Sequence, residues 1–246
     1  MRNSILAEII SSDRYHIKQN VGDDNLRYNL WGRFVLKNLS YFVVWALLKM
    51  RMSANAVTYA GFAIGCLGCL LIALGGEAGL MAGVVLVNIW ALLDYSDGQV
   101  ARWNGTSGNY GRFIDNICDA GMGGLLFLFL GIGVYNSVEE YIYLIVGAWT
   151  ALCYLFTMII SYNFERLISP QLTDFVSGLK VKGLPVNLVQ MVGFNFQNVT
   201  GIIMPVIILG AILGYLHIVL VMWAIIGTGS VAFMAYSMIR KAGRTR

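Results

Sequence analysis

The chain has 246 residues, is 58% hydrophobic and only 12% charged, and bears a net charge of +4. An average soluble domain carries about 25% charged residues, so the shortfall argues for a bilayer protein and leaves no polar block long enough for a separate soluble domain. The basic surplus does not imply nucleic acid, because the basic residues flank apolar runs and form no dense patch.

In chain order, residues 11–33 are polar and of mixed charge where a cleaved signal peptide would have its apolar core, so none is expected. Residues 1–27 read as an N-terminal cytoplasmic segment. Residues 28–52 mix Trp31, Phe34, Val35, Leu36, Leu39, Phe42, Val43 and Leu47 with Arg33, Lys37, Lys49 and Arg51. That mixture predicts an amphipathic helix lying at the membrane interface; the alternative is a seventh span over 34–52. A span needs about 20 apolar residues, and six stretches qualify, near 55–75, 79–103, 108–133, 139–163, 197–215 and 217–239. The expected fold is therefore all-α and integral to the membrane. An interfacial amphipathic helix over 28–52 precedes six transmembrane helices in a catalytic domain over 53–246. Residues 164–196, with Pro170 and Pro185, form a long polar-to-amphipathic connection.

Cys66, Cys69, Cys118 and Cys153 lie inside apolar runs and read as packing residues. The CxxC spacing of the first two lacks the second ligand pair a zinc site needs. Gly61 and Gly65, and the cluster of Gly121, Gly123 and Gly124, have the small-residue spacing of close helix packing.

The basic residues also set an orientation. The connections at 75–79, 133–139 and 215–217 contain no Lys or Arg, and all 17 fall on the other side. Lys and Arg in short connections stay cytoplasmic, so both termini, the 103–108 turn and the 164–196 connection are expected there, in a multi-pass protein of the inner or plasma membrane.

The chemistry is concentrated in Asp94–Asp119, DYSDGQVARWNGTSGNYGRFIDNICD. Asp94 and Asp97 are three apart at the end of the second span, with Ala101 four beyond Asp97. Asp115 and Asp119 are four apart near the start of the third, with Gly111 four before Asp115. Each set shares a helix face. Asn104-Gly105 and Ser107-Gly108-Asn109 mark a turn between them. Two helices thus form a hairpin that presents four carboxylates at the membrane boundary. An Asp at the centre of a span costs about 2.5–3.5 kcal/mol to insert, and four together repel unless cations neutralise them. Two hard divalent ions, Mg2+ or Mn2+, answer both problems, because they take oxygen ligands and bridge carboxylates to phosphates. Gly98, Ala101 and Gly111 remove bulk so that a phosphate-bearing ligand can approach. Arg102 and Arg112 can donate to its oxygens. One remaining carboxylate can take a proton from an attacking hydroxyl.

The pattern Asp-x2-Asp-Gly-x2-Ala-Arg-x8-Gly-x3-Asp-x3-Asp, met at Asp94, Asp97, Gly98, Ala101, Arg102, Gly111, Asp115 and Asp119, resembles the signature of the CDP-alcohol phosphotransferase family without a deviation in spacing. The resemblance implies two metal ions held by Asp94, Asp97, Asp115 and Asp119, with Asp119 as general base. It also implies a cytidine nucleotide against Gly98, Ala101, Arg102 and Gly111, and assembly as a homodimer. Members often have a Pro-Asn-x-x-Thr-like segment contacting the nucleotide. Here Asn55 and Thr58 match and Ala54 replaces the proline. The implied reaction moves a phosphatidyl group from CDP-diacylglycerol to a small polar alcohol and releases CMP, as compact members do. The alternative is CDP-ethanolamine or CDP-choline head-group transfer to a lipid alcohol. A third reading, a cation-binding transport-like protein, fits poorly with carboxylates gathered at one membrane face. Members that take phosphorylated acceptors often have Lys or Arg after the last aspartate, where this chain has Ala120. Arg112, Arg166, Lys180 and Lys182 remain as candidate acceptor contacts.

Overall fold

The computed structural model describes residues 8–11, 31–167 and 199–242, and every regular element among them is helical. A wide π-helical turn, Gly32–Leu36, leads into α1, Lys37–Lys49. This stretch buries Ser40, Tyr41, Val44 and Leu47 and exposes Phe34, Leu39 and Phe42. It is not among the helices long and apolar enough to cross a membrane, so the alternative seventh span over 34–52 is not found.

Next come α2 (Ala54–Leu74), α3 (Glu77–Trp103), α4 (Asn109–Val138) and α5 (Ile142–Leu167). A π-helical turn, Val199–Ile203, opens α6 (Met204–Leu213), and α7 (Leu216–Ala242) closes the described chain. Five helices, α2 to α5 and α7, have the length and apolarity of spans. The sixth predicted span, 197–215, is the shorter apolar helix Val199–Leu213. Pro205 stands at the start of α6, and Gly201 breaks the helical backbone just before it. Proline is tolerated in a first turn because it lacks only an N–H that has no partner there.

The ends of these helices follow from local chemistry. Ser53 takes an extended backbone and accepts a hydrogen bond from the Ala56 N–H, which caps α2. Gly75 and Gly76 both have φ of 75° and carry the chain from α2 into α3, a conformation that costs glycine nothing. At the end of α3 the Gly105 N–H bonds the Arg102 carbonyl and the Thr106 N–H bonds the Ala101 carbonyl. This pair of bonds is a Schellman stop. It explains why Asn104-Gly105 ends the helix within about two turns of Asp97.

The core is built from Ile72, Val87, Trp90, Met122, Leu126, Phe127, Leu130 and Leu220, all buried. Glycine lets the backbones around it come close. A Cβ on Gly83 would lie 2.8 Å from the Ile72 backbone nitrogen, and one on Gly68 would lie 2.9 Å from the Gly83 carbonyl oxygen, so α2 and α3 touch nearly backbone to backbone. Gly131 and Gly147 meet the same way between α4 and α5. The predicted packing role of Gly61 and Gly65 is seen too: Gly61 lies against Leu93 and Trp90, and Gly65 against Met122 and Trp90. All four cysteines are free. At the end of the bundle away from the aspartates, Asn136 donates to the Ala73 carbonyl at 2.7 Å, joining α4 to α2.

Gly83→Ala is expected to lower stability by about 1–3 kcal/mol, because the neighbour that must yield is backbone. Gly229→Ala, where an added Cβ meets nothing within 4 Å, should not lower it. Unfolding of the two variants in detergent, side by side, checks this.

Candidate active site

The short turn from α3 to α4, with α2 packed against both helices, brings the aspartates together. Asp94, Asp97 and Asp115 each offer a carboxylate oxygen, and these oxygens all lie within 4.8 Å of one another. Asp97 is buried, and the other two are partly buried. Asp119, one turn further along α4, engages Asp94 side chain to side chain. Its Oδ1 is buried and has no hydrogen-bond partner. Two carboxylates approach in this way only with a proton or a cation between them. At an effective dielectric of about 20, each pair of charges 4.8 Å apart repels by about 3–4 kcal/mol. An all-oxygen donor set, a convergent geometry and an unsatisfied buried carboxylate oxygen together fit a hard divalent cation.

The nucleotide candidates line the same mouth. Thr58 donates from its hydroxyl to Asp97 Oδ2 at 2.5 Å, and the same hydroxyl stands 3.1 Å from the Ala54 carbonyl of its own helix. Thr58 therefore ties α2 to the carboxylate cluster, and the cap of α2 is Ser53 rather than Asn55 or Thr58. Asn55 Oδ1 lies 3.7 Å from where a Gly111 Cβ would stand. Gly98 is overlain by its i+4 neighbour, with Arg102 Nη1 3.3 Å from the position of its missing Cβ. Ala101 is partly buried between these elements, and Arg102 is exposed. Arg112 is also exposed and donates to Asn109 Oδ1 at 3.2 Å, so it turns back along its own helix. Among the acceptor candidates, Lys180 and Lys182 lie outside the described residues, as does the side chain of Arg166.

Three contacts around the site were not read from the sequence. Gln99, buried two residues after Asp97, donates to Ser40 Oγ at 2.6 Å and to the Tyr95 carbonyl, which fixes α1 against α3 beside the aspartates. Tyr95, next to Asp94, hydrogen-bonds Thr200 in the turn before α6. Tyr154 of α5 reaches the electrostatic neighbourhood of Asp119 and Asp94. Isolated Ser, Gln and Tyr residues in apolar runs carry no spacing signal. The one available hint was that a buried polar side chain needs a partner.

The model of the CDP-alcohol phosphatidyltransferase family matches residues 51–240. No curated protein matches the chain. Among solved structures it is similar to the phosphatidylinositol phosphate synthase of Mycobacterium tuberculosis with CDP-DAG bound. That likeness is 19% in identity, covers 83% of this chain and 93% of the other, and has a TM-score of 0.55. The same synthase in complex with manganese and citrate is 21% identical over 80% of this chain and 87% of the other, with a TM-score of 0.50. These two likenesses are of fold. The match of the family model runs over most of the sequence and contains the whole carboxylate hairpin, and by it the chain belongs to the CDP-alcohol phosphatidyltransferase family.

Proposed function

We propose that this multi-pass membrane protein transfers a phosphatidyl group from CDP-diacylglycerol to a small polar alcohol and releases CMP. The observation that carries the reading is the division of the aspartates: three converge on one point, and the fourth keeps a free, buried oxygen beside them. The CDP-DAG-bound synthase of similar fold supports the choice of donor.

Asp94, Asp97 and Asp115, with Asp119 beside them, would hold Mg2+ or Mn2+, two ions in the full site. The bound ions supply Lewis-acid stabilisation of charge on the phosphoryl and leaving oxygens. The chain's own groups do the rest. Asn55, Thr58, Gly98, Ala101 and Gly111 shape the cytidine nucleotide's seat, and Arg102 and Arg112 offer donors to its phosphates at the exposed rim. Asp119 Oδ1 takes the proton of the attacking hydroxyl as the new oxygen–phosphorus bond forms. The bond from that phosphorus to the CMP oxygen breaks, and its electron pair leaves with CMP. Arg112, Arg166, Lys180 and Lys182 are the candidate cations for a charged acceptor. The site faces the cytoplasm together with both termini, and two copies assemble as a homodimer.

Purified protein with Mg2+ or Mn2+ is expected to release CMP from CDP-diacylglycerol in the presence of a suitable alcohol, with the phosphatidyl product identified by mass spectrometry. Asp119→Asn should abolish release while leaving nucleotide binding intact. Turnover of CDP-ethanolamine instead would move the protein to head-group transfer, and turnover of neither donor would sink the enzyme reading.

Metal binding has its own readout. Asp97→Asn removes a ligand from the convergent trio, and Mn2+ titration followed by electron paramagnetic resonance is expected to show at least a tenfold weaker site, the scale seen when a metal's supporting groups are lost. Unaltered Mn2+ affinity would remove Asp97 from the ligand set.

For orientation, a single cysteine at 78 or 137 should react with an impermeant maleimide from outside the cell. One at 106 should react only once the cytoplasmic side is opened. The reverse pattern would invert the topology.

A further inference from the structure

The carboxylates that α3 contributes stand on a helix gripped from two sides at one level. On one side, Thr58 of α2 donates to Asp97 Oδ2 at 2.5 Å. Gln99 follows Asp97 by two residues, about 200° around the helix, and so leaves α3 on the opposite side. There its Nε2 donates to Ser40 Oγ of α1 at 2.6 Å and to the Tyr95 carbonyl of its own helix at 3.0 Å. Ser40 in turn donates to the Lys37 carbonyl at 2.8 Å. Chemistry fixes these directions. A carbonyl only accepts, so the Gln99 amide nitrogen must face Tyr95. The Ser40 hydroxyl gives its hydrogen to Lys37, so from Gln99 it can only accept.

Both partners are shut off from water, with Gln99 6% exposed and Ser40 0%. When one partner of such a bond is removed, no water replaces it and the other is left unsatisfied. Apolar contacts flank the bond. Tyr41, Val44 and Leu47 of α1 pack with Val57 of α2 and with Leu93 and Val100 of α3. Val57 precedes Thr58, Leu93 precedes Asp94, and Val100 follows Gln99. The load on this support is the repulsion among carboxylate oxygens gathered within 4.8 Å of one another. A turn of α3 about its own axis would relieve that repulsion and carry Asp94 and Asp97 away from Asp115. The Gln99–Ser40 bond opposes that turn from the back of the helix, as Thr58 does from the front.

We propose that Gln99 is a positioning residue for the cation site: by bonding α3 to Ser40 of α1 it holds Asp97, and with it Asp94, at the spacing a divalent ion needs. Gln99 touches neither ion nor substrate and acts through the backbone of α3. The inference rests on the metal-binding part of the proposed function.

The test uses the full chain in detergent micelles, with Mn2+ affinity read by electron paramagnetic resonance and stability read by thermal unfolding. Gln99→Leu keeps a side chain of similar size and removes both donors. It is expected to weaken Mn2+ binding by about tenfold, the scale on which supporting groups act on a metal. Ser40→Ala removes only the acceptor on α1 and should weaken binding in the same direction, and the double variant should bind no worse than Gln99→Leu alone. Gly83→Ala is the control: it disturbs the same helix about three turns before Asp94, and should lower Tm while leaving Mn2+ affinity at the wild-type value. If Gln99→Leu binds Mn2+ as the wild type does, or if Gly83→Ala loses as much affinity for the same fall in Tm, the positioning role is refuted while the cation site stands. Should Gln99→Leu fail to fold, Ser40→Ala decides by the same two criteria. If the wild-type protein binds no Mn2+, the metal reading falls and the positioning role falls with it.

Discussion

Like-charge repulsion is the constraint on which the rest of this molecule turns. Three carboxylate oxygens within 4.8 Å of one another, with a fourth carboxylate engaging one of them, oppose the association of α3 and α4. Each close pair costs about 3–4 kcal/mol at an effective dielectric of about 20. Native stability is only about 5–15 kcal/mol in total, so the hairpin cannot be held by the site. It is held by what surrounds it: the near-contact of backbones at Gly68 and Gly83, the buried cluster around Trp90, Met122 and Phe127, and the Schellman turn at Gly105. The scaffold keeps charges together that would separate if free. A divalent cation of the kind proposed would gain from carboxylates already held together in this way.

The small residues do two different jobs in this scheme. Gly68, Gly83, Gly131 and Gly147 bring helix backbones together deep in the bundle, where a methyl group would meet backbone atoms. Gly98 and Gly111 stand at the mouth, where an added Cβ would meet only an arginine tip or an asparagine oxygen. The first set maintains the scaffold; the second leaves room above the carboxylates. Composition alone cannot separate these jobs, since both appear as glycine in an apolar run.

Much of the fold was legible because a bilayer enforces simple rules. Every backbone polar group must be satisfied within the membrane, which leaves helices as the economical solution, and span length follows from bilayer thickness. The predicted spans over 55–75 and 79–103 meet Ala54–Leu74 and Glu77–Trp103. The stretch over 197–215 ran short because Gly201 and Pro205 interrupt its start, a backbone effect that an apolar count does not register. The aspartates were legible because four carboxylates in apolar sequence have no bland explanation. The ties to Ser40, Gln99, Thr200 and Tyr154 were not, because each depends on which helices become neighbours, and no local spacing encodes that.

The face of α4 gives the site its order. Gly111, Asp115, Asp119 and Gly123 follow one another at intervals of four residues, so they form a single stripe along the helix. At about 1.5 Å per residue the stripe is about 18 Å long. It begins at the glycine beside Asn55, passes the carboxylate that joins the convergent trio, reaches the carboxylate with the free oxygen, and ends at the slot filled by Tyr154. In-line displacement at phosphorus needs the leaving group and the nucleophile on opposite sides of the reacting atom. With the proposed nucleotide contacts at one end and the proposed proton acceptor, Asp119, toward the other, the stripe would meet that requirement along one rigid element. Asp115 lies between the two ends, and the proposed reaction would bring the phosphorus beside it. Asp115 and Asp119 are then not equivalent: on the proposed mechanism, a position along α4 separates the one that would take a proton from the one that would only gather charge.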